Sequence, residues 1–520
     1  MLIIAILFFL PDGASADLDS RGKEFWVLFT PNFHNEYRTN GIRAWGDRDS
    51  LFVIVTSQYA TDFEIFYNDG TGEKSQTYSI SQPNSVVELS FDYYDFELKS
   101  YNPSGNGSFN DSRSDNEKVS SKYFRVVSDN EISVHTINRA VTSSEAALIY
   151  PTHALGLEHI ILTYWSDVND KFSSQQYTPS QFAILATEDN TEVEIVPTAP
   201  TRENGLDVQR ITLNRGETYL VQANVVDQFG NDLETDLTGS RVNANKPIAV
   251  FSGQQRSTVP IEMTSSNNPR DCLYEQVPAV DRWGLNALLI PFRRGIGNDL
   301  YSDIYRVLAA FDDTKIYIDD VLVKTLKSGE YFEDKLDRVK RIRSNRPILT
   351  AAYKKTSSTV GNTDAVGDPL MLFVPPVERF VNELIVTHIF AKGDASNKVE
   401  AFEEYYLAIV SKKDETDEVR INDLPITSNR YTIIQRQDIP TTEYEYIIID
   451  VGRHGYYHCK SPGKMGVYAY AYGYAISYGF TGGFESSSQD LNPPFLLSSG
   501  ECYERTIIAL DSSSYDSELE

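Results

Sequence analysis

The feature that most constrains this chain is that it repeats itself, because a repeat sets the architecture before any single motif is weighed. Three kinds of segment recur in the same order along its 520 residues. The first leads from Gly or Asn through a short polar stretch into an apolar run: Gly22 to Asn32, Gly156 to Trp165, Gly284 to Phe292 and Asn382 to Phe390. The second joins two β-branched, aromatic-rich runs across an Asp, Asn or Thr turn, at Leu51 to Asp69, Phe182 to Pro197, Tyr305 to Asp320 and Tyr406 to Asp423. These read as hairpins. The third is a strand, a polar turn and a strand, at Phe124 to Asn138, Ser240 to Gly253, Lys340 to Tyr353 and His458 to Gly473. Further hairpins with Gly-Glu at the turn are read at Leu213 to Ala223 and Leu326 to Phe332.

Alternation such as Thr191-Glu192-Val193-Glu194-Ile195-Val196 puts one strand face in a core and the other in water, and no long segment carries a helical apolar period. The predicted class is all-β: four tandem antiparallel β-sandwich-like repeats of about 100 to 130 residues, with a large-bladed, propeller-like ring as the alternative. The predicted units are 17–152, 153–282, 283–380 and 381–510, followed by an acidic tail at 511–520.

The apolar run Leu2 to Leu10 and the triplet Ala14-Ser15-Ala16 predict a signal peptide over residues 1–16. No other stretch approaches the ~18 apolar residues of a membrane span. With 74 acidic against 47 basic side chains the formal net charge is -27, which repels phosphate backbones and anionic lipid. Nucleic acid and membrane insertion are therefore excluded as expectations, while 41% apolar residues suffice for large cores. Three cysteines cannot staple a chain of this size, so packing must hold it. Cys459 and Cys502 are predicted to pair, leaving Cys272 either buried and inert or linking chains. Asn106 and Asn110 head two glycosylation sequons in a Gly/Ser/Asn/Asp-rich stretch, read as a glycosylated surface loop. The expected location is secreted and extracellular.

Catalytic and metal signatures such as His-Glu-x-x-His, Gly-x-Ser-x-Gly and Cys-x-x-Cys are missing. His454 and His458, four apart beside Cys459, lack a second ligand pair, and a cystine flanked by surface histidines is the favoured reading. His153 and His159 are assigned to loops. The acidic clusters Glu188-Asp189-Asn190 and Asp312-Asp313-Thr314 fit hairpin turns better than calcium sites. No acid pair is singled out for glycoside hydrolysis. The chain is predicted to be no enzyme and to need no metal or cofactor. Tyr468, Tyr470, Tyr472 and Tyr474 share one strand face and form a candidate aromatic contact stripe, with packing between sheets as the favoured alternative.

The stretch from Asp236 to Phe292, with DLTGSRVNANKPIAVFSG, CLYEQVPAVDRWG and LLIPF, resembles the N-terminal domain family of the IgG Fc-binding protein. GKEFWVLFTPN, ALIYPTHALGLEHIILTYW, FAILATEDNTEVEIVP and VYAYAYGYAISYGFTGG extend the resemblance to about residues 22–483. The resemblance implies a secreted, mucus-associated binding module. Two departures limit it: no cysteine-rich von Willebrand D-type modules follow, and Cys272 stands alone where the family often has a cysteine pair. The expected function is a secreted, non-catalytic binding or structural glycoprotein that meets mucin or matrix macromolecules. Binding of immunoglobulin Fc is the alternative, and a carbohydrate-active enzyme the third.

Overall fold

A computed structural model describes residues 19–34, 50–102, 113–168, 177–263, 269–293, 302–357, 367–389, 401–473 and 476–487, together with short strands at Arg38–Thr39, Ile42–Arg43, Phe495–Ser498 and Ile507–Leu510. It is all-β and built from four curled antiparallel sheets of one plan, each sandwich-like. The signal segment, Asn106, Asn110 and the acidic tail lie outside the described residues.

One long strand organises each sheet: Lys122–Ala140, Arg241–Ser257, Lys340–Lys354 and Gly455–Gly473. These spanning strands correct the expected strand-turn-strand segments. The Asn-Lys-Pro and Asn-Arg-Pro steps are no turns; they lie within a continuous strand where it crosses between two layers and its side chains meet water. Proline is tolerated there because the ladder is interrupted at the crossing. The first strand of each unit runs beside the crossing and skips at the same place: Gly22 pairs with Ile132 but Glu24 with Val127, and Gly284 pairs with Ile348 but Asn286 with Arg343.

The expected hairpins are corrected as well. Ser50–Ser57 and Thr61–Asp69 do not pair with each other; they flank the spanning strand, one on each of its halves. Ser180–Ala186 with Thr191–Val196, and Asp303–Ala309 with Thr314–Ile318, behave identically. The segments between them are arches from layer to layer. A polar turn between two alternating runs looks the same in sequence whether the runs pair or face each other across a core.

After each spanning strand comes a short inner strand, Ser143–Ile149, Asp271–Gln276, Leu370–Phe373 or Ile476–Thr481. The four inner strands converge, and the units close into a ring. Four apolar clusters each bridge neighbours: units one and two share Phe124, Leu148, Phe251 and Tyr274; units two and three share Trp283, Leu308 and Tyr353; units three and four share Ile342, Tyr406 and Tyr470; units four and one share Leu407, Phe480, Ile54 and Ile137. The first and fourth units join to complete the circle, through a bridge between Asp19 and Glu485 and a 2.8 Å hydrogen bond from Ser486 Oγ to Asp19 O. At the other corners a tight turn after the inner strand packs on the glycine that opens a unit. A Cβ on Gly22, Gly156 or Gly284 would lie 2.4, 2.4 or 2.3 Å from Pro151, Ala279 or Pro376.

Among the described strands each inner strand pairs with its spanning strand alone, so its other edge faces a buried axis. Buried amides left without partners are costly. Three carboxyl groups meet this demand. Glu145 accepts from the amides of Met371 at 2.7 Å and Gly479 at 2.9 Å. Asp271 accepts from Ser144 and, at 3.0 Å, from Ser477. Glu275 accepts from Phe373 at 3.3 Å. Burial, the largest cause, raises all three well above the usual carboxylate range.

Asp368, at the entry to the third inner strand, is pushed up to about 7 by burial, against the pull of Lys354 and Arg256. A carboxyl raised in the fold contributes stability that is full below its unfolded value and is lost as pH rises through the folded one. Asp368→Asn is neutral throughout, so its stability relative to wild type should improve from pH 4 to pH 7, by at most about 1.4 kcal/mol per pH unit. Urea melts across that range would show a flat difference if Asp368 were ionised in the fold. Glu145→Ala should cost about 3 kcal/mol in the same assay at pH 6, because two buried amides lose their acceptor.

Candidate functional site

At one mouth of the ring, where the inner strands end and turn into the corners, lies a shallow cleft with about 30 Å³ of enclosed space. All four units contribute to it. Tyr150 ends the first inner strand, Pro278 and Trp283 come from the second corner, Phe373 and Val374 end the third inner strand, and Thr481 and Phe484 end the fourth. Trp283 is fixed by donating from Nε1 to Pro278 O at 3.0 Å. The walls are therefore apolar and aromatic, and their rings are buried.

Its polar features are few. The Thr350 and Thr481 hydroxyls are buried at 2% exposure and have no hydrogen-bond partner among the described residues. Arg282 stands at the lip, where its Nε lies 3.6 Å from Asp281 Oδ1 and has no hydrogen-bond partner among the described residues, while its Nη2 donates to His153 O at 3.5 Å. Burial lowers its guanidinium from its ordinary value. Such a site is a shallow apolar surface with two hydroxyls that can give or accept hydrogen bonds and Arg282 at its rim.

The predicted contact stripe lies elsewhere. Tyr468, Tyr470 and Tyr472 are 4%, 1% and 0% exposed and pack between units three and four, so no partner reaches them; Tyr474 lies outside the described residues. The Tyr470 hydroxyl accepts from Arg293 N at 3.2 Å and that of Tyr472 donates to Arg293 O at 3.0 Å, which pins a loop of unit three. Of the expected bridge, Cys459 is a free buried thiol pushed up to about 12 by burial, and Cys502 lies outside the described residues. Cys272 is buried on the second inner strand, its thiol raised by burial and then by Asp271.

The histidines divide differently from expectation. His159, assigned to a loop, is a buried strand residue lowered to about 3 by burial, as is His135. His458 contacts Glu383 Oε1 at 2.6 Å, and no group of three metal-binding side chains occurs among the described residues. The acidic turns are turns: Asn190 and Asp313 adopt the left-handed conformation, and Asp189 and Asp312 accept from the facing amides of Arg215 and Ser328.

The motif stretch proves to build the ring. Asp236 holds Arg306 at 2.7 Å across the boundary of units two and three, where Arg306 is fully buried and lies over the rings of Tyr164 and Tyr331. A Cβ on Gly253 would meet Leu273 O at 1.7 Å, so only glycine lets the inner strand approach. Glu275 and Gln276 join neighbouring inner strands, Gln276 by accepting from Tyr150 N at 2.6 Å. Sequence reasoning missed the cleft because its walls are ordinary core residues brought together from four distant places.

The family described as IgGFc binding protein matches residues 145–471, more than half of the chain and running from the first inner strand to the last spanning strand. The chain belongs to this family. It is a family of binding proteins, with no catalytic reaction attached to its description. The human IgGFc-binding protein is 23% identical over 289 residues, covering 52% of this chain and 5% of that protein. This chain thus spans a small part of that relative. No solved structure matches. No helix among the described residues is long and apolar enough to cross a membrane.

An unpaired buried hydroxyl costs stability, and two lie beside this cleft. Thr350→Val with Thr481→Val should raise stability by about 1 kcal/mol in urea melts. A loss of stability would show that the hydroxyls already have partners.

Proposed function

We propose that this chain is a secreted, non-catalytic binding protein that engages an extracellular protein or glycoprotein, of mucin or matrix type, through the mouth of its ring. The observation that carries this reading is the cleft itself, an apolar depression to which all four units contribute, opening beside Arg282 and two unpaired hydroxyls. Membership of a binding-protein family supports it. The strong negative charge supports extracellular solubility and disfavours polyanionic partners. Glycosylation of Asn106 and Asn110, with the four-unit division at 17–152, 153–282, 283–380 and 381–510, belongs to the same proposal. The description of the family also favours a second reading, capture of immunoglobulin Fc.

Surface plasmon resonance with residues 17–520 over mucin glycoproteins, matrix proteins and Fc at physiological salt tests both. Saturable binding to mucin or matrix, weakened about tenfold by Arg282→Gln through loss of one charge-assisted hydrogen bond, is the expected result. Binding to Fc alone would replace the first reading with the second. Silence on all three surfaces would overturn both.

A further inference from the structure

Glu117 ties unit one to unit two. It adopts the left-handed conformation, at φ 50°, on a strap that leaves unit one and adds Val119–Ser120 as a strand beside Thr218–Gln222 of unit two. Its own amide donates to Leu220 O at 2.7 Å, and Gln222 N donates to Asn116 Oδ1 at 2.8 Å. Its carboxylate reaches the corner loop of unit two. There Oε1 accepts from Thr201 Oγ1 at 2.7 Å, Asn204 Nδ2 at 2.8 Å and Gln209 Nε2 at 2.8 Å, and Oε2 accepts from Glu203 N at 2.5 Å. Asn116 Nδ2 adds a longer bond to Oε2, at 3.3 Å, from the strap itself. A carboxylate offers about four acceptor positions, and donors of unit two take most of them.

One of those donors is chemically perishable. Asn204 precedes Gly205, and in an Asn-Gly step no Cβ hinders the following amide nitrogen from reaching the side-chain carbonyl carbon. The nitrogen of Gly205 attacks Cγ of Asn204 and gives up its proton, Nδ2 leaves as ammonia, and water opens the five-membered imide at either carbonyl to give aspartate or isoaspartate. Water is the only co-reactant. The fold leaves room for this step: Asn204 is exposed, Gly205 adopts φ +60°, and nothing lies within 4 Å of the place where a Gly205 Cβ would stand. The Gly205 amide donates to Thr201 O at 3.2 Å, longer than the 2.8 Å bond that Thr201 N returns to Gly205 O. Of three Asn-Gly steps, at Asn40, Asn106 and Asn204, this one lies within the described residues.

The product cannot do what Asn204 does. Aspartate at this position has no Nδ2 to donate and sets a second carboxylate against Glu117 Oε1. Isoaspartate also inserts a carbon into the main chain of a turn closed by Thr201 and Gly205. We propose that Asn204 is a site of spontaneous deamidation, and that its conversion loosens the strap 116–120 of unit one from the corner loop of unit two. The step is irreversible, so the junction weakens with the age of the molecule. The inference is independent of the cleft, which neither Glu117 nor Asn204 lines.

Incubation of residues 17–520 at neutral pH and body temperature, followed by tryptic peptide mapping, tests it. Arg202 and Arg210 flank the site, so cleavage yields Glu203–Arg210, in which Asn204 is the sole asparagine. The expected result is a gain of one dalton, placed on residue 204 by fragmentation, with separate aspartate and isoaspartate products. Asn204→Gln should abolish the gain, because the larger ring of glutamine closes far more slowly. Hydrogen exchange over 116–120 should be about tenfold faster in Asn204→Asp than in wild type at neutral pH. In a Glu117→Gln background the same substitution should change exchange much less, and so it should at about pH 4, where carboxylates take up protons. A peptide left unchanged in the folded chain would overturn the proposal, whether or not the urea-unfolded chain converts. So would wild-type exchange rates in Asn204→Asp, because the strap would then not depend on the amide.

Discussion

The structure depends on how the free edges of four inner strands are satisfied at a buried axis. Each strand spends one edge on its spanning strand and turns the other toward the axis, where water does not reach. Direct pairing of all four is geometrically closed to them, since they meet from four directions. Glu145, Asp271 and Glu275 resolve this with side-chain oxygens, and each acceptor joins strands from different units. Burial raises the proton affinity of these carboxyls, and the backbone amides that donate to their oxygens act in the opposite direction.

The rest of the architecture makes that convergence possible. The spanning strand belongs to two layers, which lets a unit present an outer face to water and an inner strand to the axis at once. The apolar clusters do not coincide with the units; each lies across a boundary, so no unit buries its hydrophobic surface alone. Arg306 shows the same logic with charge, a buried cation of unit three neutralised by Asp236 of unit two and Glu333 of its own unit. The cleft at the mouth of this ring takes its walls from every unit.

The residues that make the family recognisable are framework residues. Asp236, Gly253, Glu275 and Gln276 are spent on strand approach and ring closure. The hydroxyls of Thr350 and Thr481 at the mouth and the exposed side chains of Val321 to Val323 at the outer edge of unit three lie on the periphery of that framework.

By itself the sequence determined the class, the number of repeats and the family, because period-two alternation and recurring segments are local properties written along the chain. It also pointed to core packing of Tyr468, Tyr470 and Tyr472, since sibling strands are aliphatic at that place. What only the tertiary structure decided is which strands pair. The arch between Ser50–Ser57 and Thr61–Asp69 and a true hairpin share one local pattern, and the choice between them is made by the spanning strand, which lies far along the chain. The buried state of His159 and the cleft were decided in the same way, by neighbours distant in sequence. Burial and hydrogen-bond partnership are properties of pairs of segments, and a single chain read in order states only one member of each pair.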